Sequence, residues 1–207
     1  MPKISDDKRK ARELQILDAA TVCFARDGFH QTSMEDIVKE SGLSPGAIYC
    51  YFRGKREIVE AISAQRHASD SALLTAFESA SDFPEGLDRL SRELVKLLKH
   101  PKERRHRKVS IQFWAESLLD KEVRKVAERG LQQRHRLAAA LHRAQVAGEL
   151  PSHVDVDATS RVMLAILQGL FLQLAWEPKL DVEAYVKTAA NLIGAVLSPS
   201  KRNTRVP

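Results

Sequence analysis

The sequence predicts an all-α protein of about nine helices: a three-helix head, then a larger helical bundle. Three observations predict it. No run alternates apolar and polar residues for long enough to make a convincing strand. Apolar residues recur instead at helical spacing, as in Leu87, Leu90, Leu94, Leu97 and Leu98. N-cap residues, glycines and prolines cut the chain into segments joined by short loops.

The first helix carries Ile16, Leu17, Ala19, Ala20, Cys23 and Phe24 and gives out at Gly28-Phe29. Thr32 and Ser33 are N-cap types, followed by Glu35 and Asp36, whose carboxylates suit a helix N-terminus. Met34, Ile37 and Val38 give the second helix its apolar face. Gly42 sits where a left-handed C-terminal residue is wanted, and Leu43 is the apolar residue after it. Ser44 caps a third helix with Pro45 at its first position, where a missing N–H costs nothing. That helix runs to about Phe52, with Ile48 and Phe52 inward and Gly46, Ala47, Tyr49 and Tyr51 outward or flanking. The turn between the second and third helices is short. Two helices so joined form a helix-turn-helix, a motif that places its second helix in the major groove of DNA. Small residues at that helix's start permit close approach to base edges; Tyr49, Tyr51 and Lys55 offer hydroxyls and an ammonium to phosphate oxygens.

A fourth helix runs from after Gly54 to about Ser79, with Ile58, Val59 and Ile62 inward. Ser81-Asp82-Phe83-Pro84 is a break. A fifth helix spans about Glu85–Lys99 and stops before Pro101; a sixth spans about Glu103–Leu118. Asp120 caps a seventh that ends near Ala147, before Gly148 and Pro151. Asp155 or Asp157 opens an eighth that stops before Pro178. Asp181 caps a ninth that ends at about Leu197, before Ser198-Pro199.

Residues 12–62 resemble the DNA-binding domain of TetR-family transcriptional repressors. The resemblance rests on Ile16-Leu17-Asp18-Ala19-Ala20, Phe24, Gly28-Phe29, Thr32-Ser33, Ile37, Ser41-Gly42-Leu43-Ser44, Gly46, Ile48-Tyr49, Tyr51-Phe52 and Lys55, in that order and spacing. It implies that Thr32 or Ser33 touches the DNA backbone, that Pro45, Gly46 and Ala47 face the bases, and that Tyr49, Tyr51 and Lys55 grip phosphates; Ser44, which caps the helix, is counted in the same DNA-binding set. It also implies a dimeric repressor, released from a palindromic operator on double-stranded DNA by an unknown small-molecule effector, with the fourth helix carrying the shift. The corresponding domains are 1–54 (DNA binding), 55–198 (effector binding and dimerisation) and 199–207 (a C-terminal tail).

Composition is compatible with this reading and excludes others. The 207 residues are 43% hydrophobic and 29% charged, enough for a packed core. The net charge is +6, yet residues 1–60 hold ten Lys/Arg and ten Asp/Glu, so DNA binding depends on which face carries the charge. Lys3, Lys8, Arg9, Lys10 and Arg12 precede or open the first helix, either as a DNA-binding arm or as a solvated terminus. Cys23 and Cys50 are the two cysteines; Cys50 lies in the recognition helix, as a redox-sensitive thiol or a small filler. The N-terminus is charged and no apolar segment of signal-peptide type follows, which predicts a cytoplasmic protein. Histidines 30, 67, 100, 106, 135, 142 and 153 are scattered, and no Cys/His cluster, nucleophile elbow or phosphate loop occurs. Neither an enzyme nor a metal or other cofactor is expected. The remaining alternative is a helical protein-binding adaptor, which would keep the dimer and have no need of Tyr49, Tyr51 and Lys55.

Residues 162–176 carry only Gln168 and Gln173 as polar side chains, so the eighth helix needs cover on more than one side. That apolar run is short for a membrane span, and no membrane partner is expected. With the ninth helix it suggests a four-helix homodimer interface through Val162, Ile166, Leu170, Leu174, Tyr185, Ala189, Leu192 and Val196; the centre of a monomer core is the other reading. Phe77, Leu94, Leu98, Phe113, Trp114, Ser117, Leu141, Gln145, Met163, Leu167, Gln168 and Phe171 could line an effector cavity or form ordinary core. Lys102–Lys108 holds five basic residues against one acid, an anion-attracting patch or a solvated helix start.

Overall fold

Residues 6–129 and 131–197 are described by the structure, a computed structural model. Their helices are α1 (Asp6–Asp27), α2 (Met34–Ser41), α3 (Pro45–Tyr49), α4 (Lys55–Glu78), α5 (Phe83–Lys99), α6 (Glu103–Ser117), α7 (Lys121–Arg129), α8 (Leu131–Val146), α9 (Val156–Trp176) and α10 (Val182–Leu197). α7 and α8 flank residue 130 within the span Asp120–Ala147 that the sequence assigns to one helix. There is no strand among the described residues. Lys3 of the basic arm and the tail 199–207 lie outside them.

The chain forms two compact units, and they cut across the sequence division at residue 54. The first contains residues 1–68 and 102–128, so α6 and most of α7 join the three-helix head. The second contains residues 69–101 and 129–207. α4 contributes its first part to one unit and its remainder to the other.

The first unit is built around Ile16, Ala20, Cys23 and Phe24 of α1, Ile37 of α2, Ile48 of α3, Ile58 and Ile62 of α4, and Val109 of α6. Removing each large aliphatic side chain from water contributes about 1.5–3 kcal/mol. Burial also pushes the Cys23 thiol above its ordinary value. An ion pair between Arg66 of α4 and Glu103 of α6 is almost wholly buried. Breaking one side of such a pair is costly, because the other charge is left desolvated.

In the second unit α5 packs on α10 and α8 on α9. Leu74 and Phe77 meet Phe83 and Leu87, Leu137 and Leu141, Met163 and Leu197. The Phe77 and Phe83 rings meet edge to face, 5.9 Å between centroids. Gly86 permits that approach, since a Cβ there would stand 3.0 Å from the Phe77 ring.

The helix boundaries follow local chemistry. α5 starts inside the predicted break, because the Asp82 side chain accepts from the Glu85 N–H and Pro84 occupies the first turn. Asp155, rather than Asp157, caps α9. α3 is shorter than predicted: it ends at Tyr49, and Cys50–Tyr51 continue as a turn. α9 is 21 residues long, and by length and composition alone could cross a membrane; Met163, Leu170, Phe171 and Leu174 are buried within the chain.

Candidate nucleic-acid interface

The helix-turn-helix is assembled from short-range bonds. The Ser33 hydroxyl accepts from the Asp36 N–H, and the Asp36 carboxylate accepts from the Ser33 N–H, a closed capping box. The Ser33 hydroxyl and backbone N–H together hold the Asp36 carboxyl below its ordinary value. Gly42 closes α2 at φ 68°, a left-handed conformation that disfavours a side chain. The Ser44 hydroxyl accepts from the Ala47 N–H and starts α3. From α1, the Gln15 amide donates to the Ser41 carbonyl at 2.7 Å and ties α1 to the turn.

This framework fixes which way α3 faces. Ile48 is fully buried and Phe52 nearly so. On the other side Ser44, Pro45 and Gly46 are exposed, Ala47 is half-buried, and Tyr49 is 50% exposed. Tyr51 is half-buried and packs against the core of the unit. Cys50 is exposed between the two tyrosines.

Two of the residues singled out for DNA are engaged inside the chain in this structure. Thr32 is 1% exposed, and its hydroxyl donates to the Gly28 carbonyl at 2.8 Å. Its role in the structure is to close the α1–α2 turn. Lys55 turns inward from the start of α4: its ammonium donates to the carbonyls of Phe29 at 2.9 Å and His30 at 3.3 Å. It also lies 5.0 Å from the centroid of the Phe29 ring, within cation–π range.

The same turn is held from α6, which no local sequence signal revealed. Gln112 accepts from the Phe29 N–H and donates to the Phe24 carbonyl, both at 3.0 Å. Glu116 pairs with His30 Nε2 at 2.7 Å. Further along, Lys102 pairs with Asp18 of α1. The basic run 102–108 is thereby sorted: Glu103 and Arg107 are buried, while Arg104, Arg105 and Lys108 are exposed. Burial depresses the Arg107 guanidinium and the His106 imidazole from their ordinary values.

The residues proposed for an effector cavity divide between the units. Phe113, Trp114 and Ser117 belong to the first, and Phe77, Leu94, Leu98, Leu141, Gln145, Met163, Leu167, Gln168 and Phe171 to the second. Phe113 packs with the head core and, with Phe24, Phe29 and Val59, lines a cavity of about 20 Å³, room for one water. Phe77, Leu141 and Met163 are core of the second unit. Gln145 spends its amide on the carbonyls of Pro151 and Val154, and Gln168 is exposed. Of the dimer residues, Val162, Leu192 and Val196 are exposed, Ile166 and Ala189 half-buried, and Leu170 and Leu174 buried inside the chain. Tyr185 is half-buried, with its hydroxyl 3.4 Å from the Ile166 carbonyl. Among the described residues, no group of three or more His, Cys, Asp or Glu is placed to hold a metal ion.

Residues 16–62 match the family model described as bacterial regulatory proteins of the tetR family. Residues 86–198 match the C-terminal model of BetI-type transcriptional repressors. The probable HTH-type transcriptional regulator ArpR of Pseudomonas putida is 30% identical over 94% of this chain and 97% of its own. Among solved structures, Salmonella enterica GusR aligns with a TM-score of 0.74 and 25% identity, over 95% of this chain and 99% of its own. A SmeT–triclosan complex aligns at 0.75 and 23%, over 92% of this chain and 93% of its own. The all-α fold, the helix-turn-helix and these full-length matches converge: this DNA-binding transcriptional regulator belongs to the TetR family.

Proposed function

We propose that the chain is a homodimeric repressor that reads a palindromic operator through α3 and leaves it when a small molecule binds. The observation that carries this reading is the two-sidedness of α3: Ile48 is wholly buried, and Ser44, Pro45, Gly46 and Tyr49 are turned to solvent. Such a face has small residues where a helix must approach base edges and a hydroxyl where phosphate would stand. Two copies would present their α3 helices roughly 34–36 Å apart, one turn of DNA. Ser33 contributes through its placement at the start of α2.

The division of the chain supports a route for release. α4 belongs partly to each unit, so a change in the second unit has a continuous helix through which to bias the first. The SmeT neighbour is a SmeT–triclosan complex, and that supports a small-molecule site in the second unit as a reading for this chain. For this chain Phe77, Leu98, Met163, Leu167 and Phe171, all in the second unit, are the proposed apolar lining. A ligand releases DNA only by its differential affinity for the two states. The protein acts by binding, without catalysis, in the bacterial cytoplasm.

The test is selection of duplexes from random-sequence DNA by the purified protein, with Tyr49→Ala alongside. Tyr49 is half exposed, so its truncation spares the fold. An inverted repeat enriched by the wild type and lost in the variant is the expected result. Enrichment that survives in the variant overturns the assignment of α3 as the reading helix.

A further inference from the structure

Two cations flank Gly54 at the turn between α3 and α4, and the structure gives them different work. An ammonium has three N–H donors. Lys55 directs two of them at the carbonyls of Phe29 and His30, and its ammonium stands 5.0 Å from the centroid of the Phe29 ring. Drawing it out to a phosphate would strip a donor from both carbonyls. Arg53 has no such commitment. Its side chain is 93% exposed, and its ion pair with Glu57 is long at 3.9 Å. Its backbone is nevertheless fixed: the Arg53 N–H donates to Glu57 Oε2 at 2.7 Å, which anchors the residue at the start of α4. An anchored Cα with an exposed, loosely paired guanidinium is the arrangement a phosphate contact needs. The guanidinium fork also matches two phosphate oxygens at once, which an ammonium does not.

We propose that Arg53 is the cation that grips the DNA phosphate at the α3–α4 turn, and that Lys55 is a positioning residue. Lys55 locks the α1–α2 turn against α4 and so sets the angle at which α3 is presented. Arg53 stands four residues after Tyr49 and two after Tyr51, so the hydroxyls and the guanidinium belong to one short stretch of chain. The proposal rests on the reading of α3 as the DNA-facing helix.

The experiment measures affinity against salt for the full chain, on duplexes selected by the wild type and on scrambled duplexes. The slope of log K against log salt counts the phosphates neutralised, at about 0.9 per contact on B-form DNA. Arg53→Gln is expected to lower the slope by about 0.9 per protomer, to weaken both kinds of duplex by the same factor, and to leave the melting temperature unchanged. Lys55→Met is expected to leave the slope unchanged and to lower the melting temperature. A wild-type slope in Arg53→Gln overturns the proposal, as does a slope in Lys55→Met lowered by as much as in Arg53→Gln. Because Arg53 is exposed, its variant folds, and the first outcome is readable whatever becomes of Lys55→Met. Failure of the wild type to bind any duplex would strike the DNA reading itself, a result distinct from unchanged slopes.

Discussion

Ser33 does two jobs with one hydroxyl: it caps α2 and hydrogen-bonds the Asp36 carboxylate. Ser33→Ala is expected to cost the protein about 1 kcal/mol of stability, read by denaturant unfolding. A pH signature accompanies it. The folded-state Asp36 carboxyl lies below its ordinary value of 3.8, chiefly through the Ser33 hydroxyl. Its stabilisation is therefore complete above that value and is lost as pH falls below it. In Ser33→Ala that acid-side decline should be shallower, and an unchanged decline would mean that the hydroxyl is not what holds the proton off. Thr32→Val gives the companion result: removing a buried hydroxyl bonded to the Gly28 carbonyl should cost about 1 kcal/mol, with the salt dependence of DNA binding unchanged. Both residues were legible as helix-start chemistry, because a cap involves neighbours three or four positions away. Sequence pattern alone could not say that Thr32 and Lys55 turn inward. Their partners are the carbonyls of Gly28, Phe29 and His30, and backbone groups leave no mark in the residue pattern.

At the scale of elements, α6 is the least legible part of the fold. Its bonds to the head run from Gln112 to Phe29 and Phe24, 83 and 88 residues away, and no periodicity reports a partner at that distance. The sequence division at residue 54 therefore left α6 with the body, whereas its packing belongs with α1. Gln112→Ala removes the partner of one backbone donor and one backbone acceptor together. Each part-buried group left unsatisfied costs about 1–3 kcal/mol, so the variant should unfold at distinctly lower denaturant; an unchanged midpoint would show that water replaces the amide. His106, on the same helix, provides a pH test. Burial depresses its imidazole below the ordinary 6.5, against Glu103 and Asp18, which raise it, and with Arg66 and Lys102, which lower it further. The unfolded chain thus binds the proton more readily, and stability is lost as pH drops below about 6.5. His106→Gln should remove that part of the decline, compared directly with the wild type across the same pH range.

For the whole molecule the open question is which surface joins two copies. The sequence placed the α9 contribution on Val162, Ile166, Leu170 and Leu174, a stripe of every fourth residue. A helix that is apolar all round carries no polar side to mark its outward face, so the stripe was free to rotate. In the structure Leu170 and Leu174 are 1% and 3% exposed, inside the chain, while Val162, Leu172 and Trp176 are 59%, 38% and 72% exposed. On α10 the expected Leu192 and Val196 remain outward, at 63% and 74%. Scattered exposed leucines need no explanation, but large apolar side chains gathered on two helices of one unit do. We propose accordingly that the dimer face runs through Val162, Leu172, Trp176, Leu192 and Val196, with Leu170 buried inside the chain. Leu172→Glu with Leu192→Glu should leave the helical content intact, since both side chains start in solvent, and should shift the protein from dimer to monomer in sedimentation. Operator affinity should then fall towards the non-specific level, because the two half-sites are no longer bound as one. Leu170→Ala should do the reverse, with the dimer kept and stability lowered by about 2–5 kcal/mol as a buried cavity opens. If the double glutamate variant stays dimeric while Leu170→Ala dissociates, the interface is the stripe read from the sequence, and the exposed face of α9 has some other partner.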